Sequence, residues 1–527
     1  MKPTTFIWDA GAVAVGLDEI GRSRGVLLAH LKYLLDEFHG VTRPAEYYDL
    51  VAGIWLEGLA HNIYSAWQEV LAGSEPVEVS PVPVFKSPAH AQMMTPEIGW
   101  HRHLRWAVAQ VLEGQFSRNW AVAQEPPHIE SSSRHGISRK LLRGISTAQP
   151  KILLTQPCFK CSRQEWIGAL LRWRSWIALD DMQYPIFVAS HTDWEWRKRQ
   201  SAESPLPPRN FAGLVMTLMP LYIPITLLEG FEEYRAAALA LPLPRPQAVY
   251  SANALHAHLT FKVLMAEWRQ EGTQLLYHQH GGGYGLEPQL AVEDYEIRVS
   301  DRFYSWGWQR KGSPVYPLSP AMPEVRRKRH SKHILLNCLD LPMVPYRVMF
   351  TPMPGTIETM HRDTCEFLMG LPDRRNLIIR PYPVDYGWGA LEMMRSVAPE
   401  ASFDSRNQQF SLFLTCRLVV HNYLGTSWLE TLGLNIPTLC FYDPAVNIYR
   451  EEARPFIDAM KKVGILHHSG KDAARFIASL GNDIEGWWNK SEVQGARLNF
   501  IERYANFSPD WKQQWECEFE AVLDGTR

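Results

Sequence analysis

Arg417-Leu-Val-Val-His-Asn-Tyr-Leu-Gly-Thr-Ser-Trp-Leu-Glu-Thr-Leu-Gly-Leu-Asn-Ile-Pro-Thr-Leu-Cys-Phe441 is the stretch whose reading decides the fold. Arg417 to His421 is a short apolar run that reads as a buried strand. Thr426 to Leu432 reads as a helix, and Pro437 to Phe441 as a second strand. Strand, helix and strand in this order make a βαβ unit, the element of a parallel sheet covered by helices. Upstream, the same alternation continues. His333 to Asn337 is a strand, Ile357 to Met369 a helix, Asn376 to Arg380 a strand and Phe410 to Thr415 a short helix. A separate series precedes it: strand Lys151 to Thr155, helix Gln164 to Ala178, strand Gln247 to Tyr250, helix Asn253 to Glu271 and strand Thr273 to His278. Asp301 to Gly307 reads as a further short strand with a turn.

Two such series in tandem predict an α/β protein of two Rossmann-like doubly wound domains facing a cleft. Ligands in such sheets bind beyond the carboxyl ends of the strands. Long apolar periodicities at Leu27 to Phe38, Tyr47 to Leu71 and Ile98 to Phe116 make the first 150 residues mostly helical, after a β segment at Thr4 to Trp8. The expected boundaries are an N-terminal domain over 1–320 on the acceptor side, and a basic, Pro-containing linker over 321–332. A nucleotide-binding domain follows over 333–482, then a helical, aromatic tail over 483–527 that packs back across both domains. The most apolar stretch, Gly213 to Leu228, is interrupted by Pro220 and Pro224 and is too short to span a membrane. It reads as buried loop and strand.

A length of 527 residues exceeds what one core usually organises. A formal net charge of −2 argues against a nucleic-acid partner, which would demand a basic surplus. Seven cysteines, sparse and odd in number, fit a reducing compartment, and the start lacks the pattern of a secretory leader, so a cytoplasmic protein is expected. The basic clusters Arg134 to Arg143 and Arg326 to His330 read as solvated loop and linker, with contact to anionic lipid as the sharper alternative. Twenty tryptophans read as core packing, against a stacking platform for sugar rings. Cys158 and Cys161 form a CxxC without a second ligand pair, and no metal is assigned to it.

Three stretches carry polar chemistry at strand ends. In Gln279-His280-Gly281-Gly282-Gly283-Tyr284-Gly285, the glycines let backbone approach a ligand and present N–H groups to an anion. His280 stands where a general base or a phosphate donor would act. The turn Asn422 to Ser427 places Gly425, Thr426 and Ser427 at a helix start, the seat for a phosphate, with Glu430 one turn on to accept from ribose hydroxyls. Arg380, before Pro-Tyr-Pro, matches a phosphate or carboxylate bidentately.

These motifs together, QHGGGYG (279–285), RPYPVDYGW (380–388) and HNYLGTSWLETLGLNIPTLCFYDP (421–444), with SWGW (305–308), resemble a family of bacterial transferases of O-antigen and surface-polysaccharide biosynthesis. The C-terminal motif is similar to the sugar-nucleotide site of GT-B glycosyltransferases. More distantly it resembles capsule Kdo transferases and teichoic-acid glycerophosphotransferases. The resemblance implies a GT-B-like fold and a nucleotide-sugar donor held by Gly281, Gly282, Gly283, Arg380, Asn422, Gly425, Thr426, Ser427 and Glu430. It implies His280 as a catalytic or phosphate-contacting residue, with Asp301 or Glu293 as the alternative base. It also implies a glycan or lipid-linked glycan acceptor, reached by peripheral contact at the inner face of the membrane, with no bound metal required and no tightly held cofactor. Two other readings stand beside it. One is a serine hydrolase using His280-Gly-Gly-Gly283 and Ser427, with Asp443 and His467 or His468 in hydrolase order. The other is a non-catalytic nucleotide-sugar binding protein.

Overall fold

The computed structural model describes residues 6–73, 81–115, 120–125, 150–180, 182, 184, 186, 188, 191–323, 332–404 and 409–525. Both basic clusters singled out above, Arg134 to Arg143 and Arg326 to His330, lie outside them, as do Thr4 and Thr5.

Among the described residues, twelve short strands form two six-stranded, wholly parallel sheets. The first runs β2-β1-β3-β4-β5-β6, with β1 Ile152–Thr155, β2 Ile177–Leu179, β3 Ala248–Ser251, β4 Gln274–His278, β5 Arg302–Ser305 and β6 Val315–Pro317. The second runs β12-β11-β10-β7-β8-β9, with β7 Ile334–Asn337, β8 Leu377–Arg380, β9 Ser402–Phe403, β10 Leu418–His421, β11 Thr438–Phe441 and β12 Leu466–His467. Counted from β7, this is the order 6-5-4-1-2-3 of a dinucleotide-fold sheet, whose winding reverses between β7 and β10. Asn337 and His421 are register partners there, so the chain segments leaving both strands open a crevice at that point. The core strands are buried on both faces, which is why they read as unbroken apolar runs rather than alternations. The architecture is GT-B-like, two Rossmann-like domains with a helical N-terminal region.

That region is built from α1 (Ala10–His39), α2 (Ala45–Leu71), α3 (Pro88–Met94) and α4 (Ile98–Leu112). The Asp9 carboxylate caps α1 by accepting from the Ala12 N–H at 2.8 Å. The α2 helix is buried on most of its surface because it is wedged between α1, α4 and the helices Leu259–Gln270 and Ala291–Val299 of the first sheet. Arg24 of α1 and Arg298 both bond Asp49 of α2, at 2.5 and 2.9 Å, which fixes the Ala291–Val299 helix against the bundle.

The stretch 213–228 corrects its expectation. It is a helix, Phe211–Tyr222, followed by a 3-10 turn at Ile225–Leu227. Asn210 caps it through the Gly213 N–H, and Pro220 lies inside it, where it removes the N–H that would answer the Met216 carbonyl. The long helix expected from Asn253 to Glu271 is broken at His258 into Ala254–Ala257 and Leu259–Gln270. At the far end, the helix Ser491–Tyr504 packs on the second sheet's side, where Arg497 donates to the Leu432 carbonyl at 2.8 Å. The last helix, Trp511–Leu523, returns to the first sheet and stacks Trp515 on Trp173 and against Tyr250. Trp8, Trp173, Trp306, Trp308, Trp428, Trp488, Trp511 and Trp515 are all fully buried, so they serve the core. Among the described residues no helix is long and apolar enough to cross a membrane.

Candidate active site

The two sheets point their carboxyl ends at one another, and the glycine loop after β4 meets the helix Thr426–Gly433 directly. The Gly282 N–H donates to Thr426 Oγ1 at 2.8 Å. A Cβ on Gly282 would stand 2.7 Å from the Gly425 carbonyl carbon, so only glycine permits the approach. The loop's shape is fixed from behind. Gly283 and Gly285 take positive φ (89° and 70°), and the Gly285 N–H donates to Glu293 Oε2 at 2.7 Å. Gln279 binds the loop to the SWGW segment. Its Oε1 accepts from the Trp306 N–H and Trp308 Nε1–H, and its Nε2 donates to the Gly281 carbonyl.

Ion pairs lock the domains across this seam. Lys160, after β1, pairs with Glu430 of the opposite domain. Arg450 donates to Glu293 at 2.8 Å and to the Glu287 carbonyl at 2.6 Å, and Arg310 also pairs with Glu293. The carboxylates Glu430 and Glu293 are thus already answered by cations from across the cleft. Two guanidiniums beside the cleft are not fully used. Arg380 Nε and Arg347 Nε are buried without a hydrogen-bond partner, although Arg380 Nη1 reaches Asn337 Oδ1 at 3.4 Å. Unsatisfied buried cationic donors are what an anionic ligand group would complete.

His280 does not stand alone. Its Nδ1 lies 3.3 Å from the Tyr284 hydroxyl and 3.8 Å from Glu296 Oε1. His256 Nε2 is 2.8 Å from the same Glu296 oxygen. Glu296 is completely buried, and its Oε2 has no hydrogen-bond partner. Burial pushes the Glu296 carboxyl up to about 8 and lowers both imidazoles to about 4, because a charge in this interior is poorly solvated.

Two cavities adjoin the seam. One of about 320 Å³ lies between α2, α3 and the loop Pro342 to Arg347, walled by Trp55, Phe85, Trp100, Tyr346 and Tyr386 and reaching His256. It is mainly apolar, with Asn62, Glu57 and Arg347 as polar points. The other, of about 300 Å³, lies beyond the carboxyl ends of β10 and β11, lined by Thr356, Arg362, Asp363, Asn422, Tyr423 and Asp443. Burial raises the Asp363 carboxyl there to about 6 despite its acceptance of the Gly470 N–H.

The structure therefore brings together His280, Gly281, Gly282, Gly283, Gly425, Thr426 and Glu430 at the seam. Arg380 stands at the end of β8, next to β7 in the sheet. Asn422 reaches the crevice but spends its side chain on structure, accepting from the Leu339 N–H and donating to Thr364. Ser427 is buried and hydrogen-bonded to Tyr423. Glu293 stands behind the glycine loop and shapes it. Asp301 is a correction. It precedes β5 and so lies at the amino edge of the sheet, opposite the cleft, held by Arg269 Nη2 and the Leu275 N–H at 2.8 and 2.7 Å. Asp443 lines the second cavity, while His467 is tied to the Gly464 carbonyl at 3.0 Å. Sequence reasoning missed His256, Glu296, Tyr284 and Arg347. The one available signal was position, since His256 follows β3 directly, at the carboxyl edge.

Two parallel sheets closing carboxyl ends over a glycine loop and a polar helix start define a GT-B-like architecture. The chain belongs to the LIC12162 family of transferases, whose model matches residues 18–519. No curated protein matches it. Among solved structures it is similar to a proposed UDP-N-acetylglucosamine 2-epimerase of Listeria monocytogenes (11% identity, 71% of this chain and 98% of that one, TM-score 0.39). It is also similar to a mutant O-GlcNAc transferase of Thermobaculum terrenum (10%, 96% and 98%, TM-score 0.36) and to S. aureus TarM solved with UDP (14%, 55% and 58%, TM-score 0.34).

Proposed function

We propose that this transferase is a glycosyltransferase that moves a sugar from a nucleotide-activated donor to a glycan or lipid-linked glycan acceptor of the O-antigen and surface-polysaccharide kind. The contact between Gly282 and Thr426 carries the reading, because it sets the histidine-bearing loop of one domain against the helix start of the other. The donor nucleotide occupies the crevice beyond β7 and β10, where a dinucleotide-fold sheet takes its ligand. Charge growing on the leaving phosphate meets Arg380 and the backbone N–H groups at Thr426. The acceptor enters through the aromatic-walled cavity. Its hydroxyl loses a proton at the cluster of His256, His280 and Glu296 as the new glycosidic bond forms. Closure of the domains excludes water and protects the donor from hydrolysis. The acceptor would be met in the cytoplasm, at the inner membrane face.

A thermal-shift screen against CMP, CDP, UDP, GDP and dTDP, each with and without Mg²⁺, tests the reading. A ligand that binds only the folded state raises the melting temperature by mass action. The expected result is a shift with one nucleotide, lost in Arg380→Ala. The absence of a shift with every nucleotide would reject a donor of this class.

A further inference from the structure

We propose that His256, His280 and Glu296 hold one divalent transition-metal ion of the zinc class, through two imidazoles and one carboxylate, with an open coordination position toward the aromatic-walled cavity. The expectation from sequence was a metal-free site, but these three residues come from separate elements and no spacing pattern connects them. Their donor atoms all lie within 4.8 Å of one another. Tetrahedral zinc with bonds of about 2.0–2.1 Å separates its donors by roughly 3.3 Å. His256 Nε2 and His280 Nδ1, at 2.8 and 3.8 Å from Glu296 Oε1, bracket that value.

A second observation is independent of this convergence. Glu296 is fully buried, and its Oε2 has no hydrogen-bond partner. A carboxyl sealed from water with one oxygen unanswered is costly, and a cation that displaced its proton would supply the missing partner. The nearby cations do not take that role: among the described residues, neither Arg347 nor Lys262, both acting on His256, forms an ion pair with Glu296. Lys160 is paired with Glu430, and Arg310 and Arg450 with Glu293. Nitrogen and oxygen donors with no thiolate suit zinc or a neighbouring first-row ion rather than calcium or magnesium. Three protein ligands leave a fourth position open, as catalytic zinc sites do and structural ones do not. Access exists as well, since His256 lines the cavity and the His280 side chain is 27% exposed. An ion here would lower the pKa of a hydroxyl bound at its open position. That consequence rests on the transferase reading, whereas the presence of the ion does not.

The full chain, stripped with EDTA and dialysed against Zn²⁺ in excess Mg²⁺, is assayed by elemental analysis and, after Co²⁺ loading, by its visible ligand-field absorption. The expected result is one retained zinc per chain and a four-coordinate Co²⁺ spectrum. Both should be lost in Glu296→Gln and His256→Gln, with metal affinity falling by more than the roughly 10- to 100-fold that an outer-shell change costs. Cys158→Ser/Cys161→Ser should retain the ion. His280→Asn, at a partly exposed position, provides a folded variant should either buried substitution fail to fold, and it too should lose the metal. Wild-type protein that keeps no zinc and gives no Co²⁺ band overturns the proposal, as do folded His280→Asn and Glu296→Gln variants that keep the wild-type content. Metal content is read without a donor or turnover. A silent nucleotide screen therefore removes the nucleotide-sugar reading alone, and an empty chain removes the metal site alone.

Discussion

Gly282→Ala isolates the contact on which the arrangement depends. Gly282 has no positive φ, so alanine fits its backbone, and the substitution acts only through the added methyl. That carbon would meet the Gly425 carbonyl carbon at 2.7 Å, the Thr426 nitrogen at 2.8 Å and Gly425 Cα at 3.1 Å, all backbone atoms of the opposite domain. None can swing aside as a side chain could, so the two domains must part by about 0.7 Å to reach ordinary contact at 3.4 Å. The Gly282 hydrogen bond to Thr426 lengthens with them, at a cost of about 1 kcal/mol. Misplacing reacting groups by about 1 Å costs roughly a hundredfold in rate. A separation of this size should lower kcat by about ten- to a hundredfold while the melting temperature falls by only a few degrees. The control is Gly281→Ala, whose methyl meets a single rotatable atom, Thr426 Oγ1, at 3.1 Å. It should stay within about threefold of wild type, the scale of one readjusted hydrogen bond. Initial rates with the donor found by the nucleotide screen, together with calorimetric melting, decide the matter. A Gly282→Ala enzyme of wild-type rate, or two variants equally impaired, would refute the claim that the closed seam is the working state.

Four further outcomes follow from single contacts. Gly285→Ala combines a φ of 70° with a methyl 2.4 Å from the Trp308 ring, and should destabilise the fold by about 3 kcal/mol or more, read by urea melting. Lys160→Met leaves the buried Glu430 unanswered and should cost about 2–3 kcal/mol, most of it regained in Lys160→Met/Glu430→Leu; equal stability of the single and double variants would count against the pair. Burial without a partner pushes the Lys262 ammonium down to about 7, so the folded state holds fewer protons than the unfolded one between that value and 10.5. Stability should therefore rise with pH across that window, and Lys262→Met should flatten the slope and raise stability at pH 7, seen in urea melts at pH 7 and 9. Ser427 is buried and bonded to Tyr423, so a fluorophosphonate should leave it unlabelled; stoichiometric labelling would restore the serine-hydrolase alternative.

The parallel sheets were legible because strands covered on both faces must be apolar throughout, and Leu418–His421 and Thr438–Phe441 could hardly be anything else. The glycine loop was legible for a similar reason, since φ values of 89° and 70° leave few alternatives to glycine at 283 and 285. Asp301 shows where proximity in sequence misleads. It lies beside a strand, but before it, and in a parallel sheet that single difference puts it at the amino edge, away from the cleft. His256 and Glu296 were hidden for the opposite reason. Each sits in a helical pattern that gives no hint of a partner, and they meet because β3 and β4 are neighbours and because the chain breaks at His258. The helix Phe211–Tyr222 was obscured by a proline whose cost depends on position. At residue 220 it costs the helix one hydrogen bond, to the Met216 carbonyl, and the buried apolar turns before it still form.

The distribution of charge along the seam argues for the order in which the site is used. Lys160 with Glu430, and Arg310 and Arg450 with Glu293, hold the domains together with pairs whose members come from both sides or brace the loop between them. These groups are spent in closing the molecule and are poorly placed to bind a phosphate as well. Arg380 and Arg347 each keep a buried Nε without a partner. Arg380 ends β8, beside the reversal point of the second sheet, and Arg347 lines the cavity that reaches His256. An anionic group drawn to the first would lie in the donor crevice, and one drawn to the second would lie on the acceptor side. An acceptor carrying its own phosphate, as a lipid-linked glycan does, would therefore complete Arg347. Replacing Arg347 with methionine should then raise the KM for such an acceptor and leave that for the donor unchanged, whereas Arg380→Ala should do the reverse. A single variant that weakened both substrates equally would place the two guanidiniums in one site and undo this division.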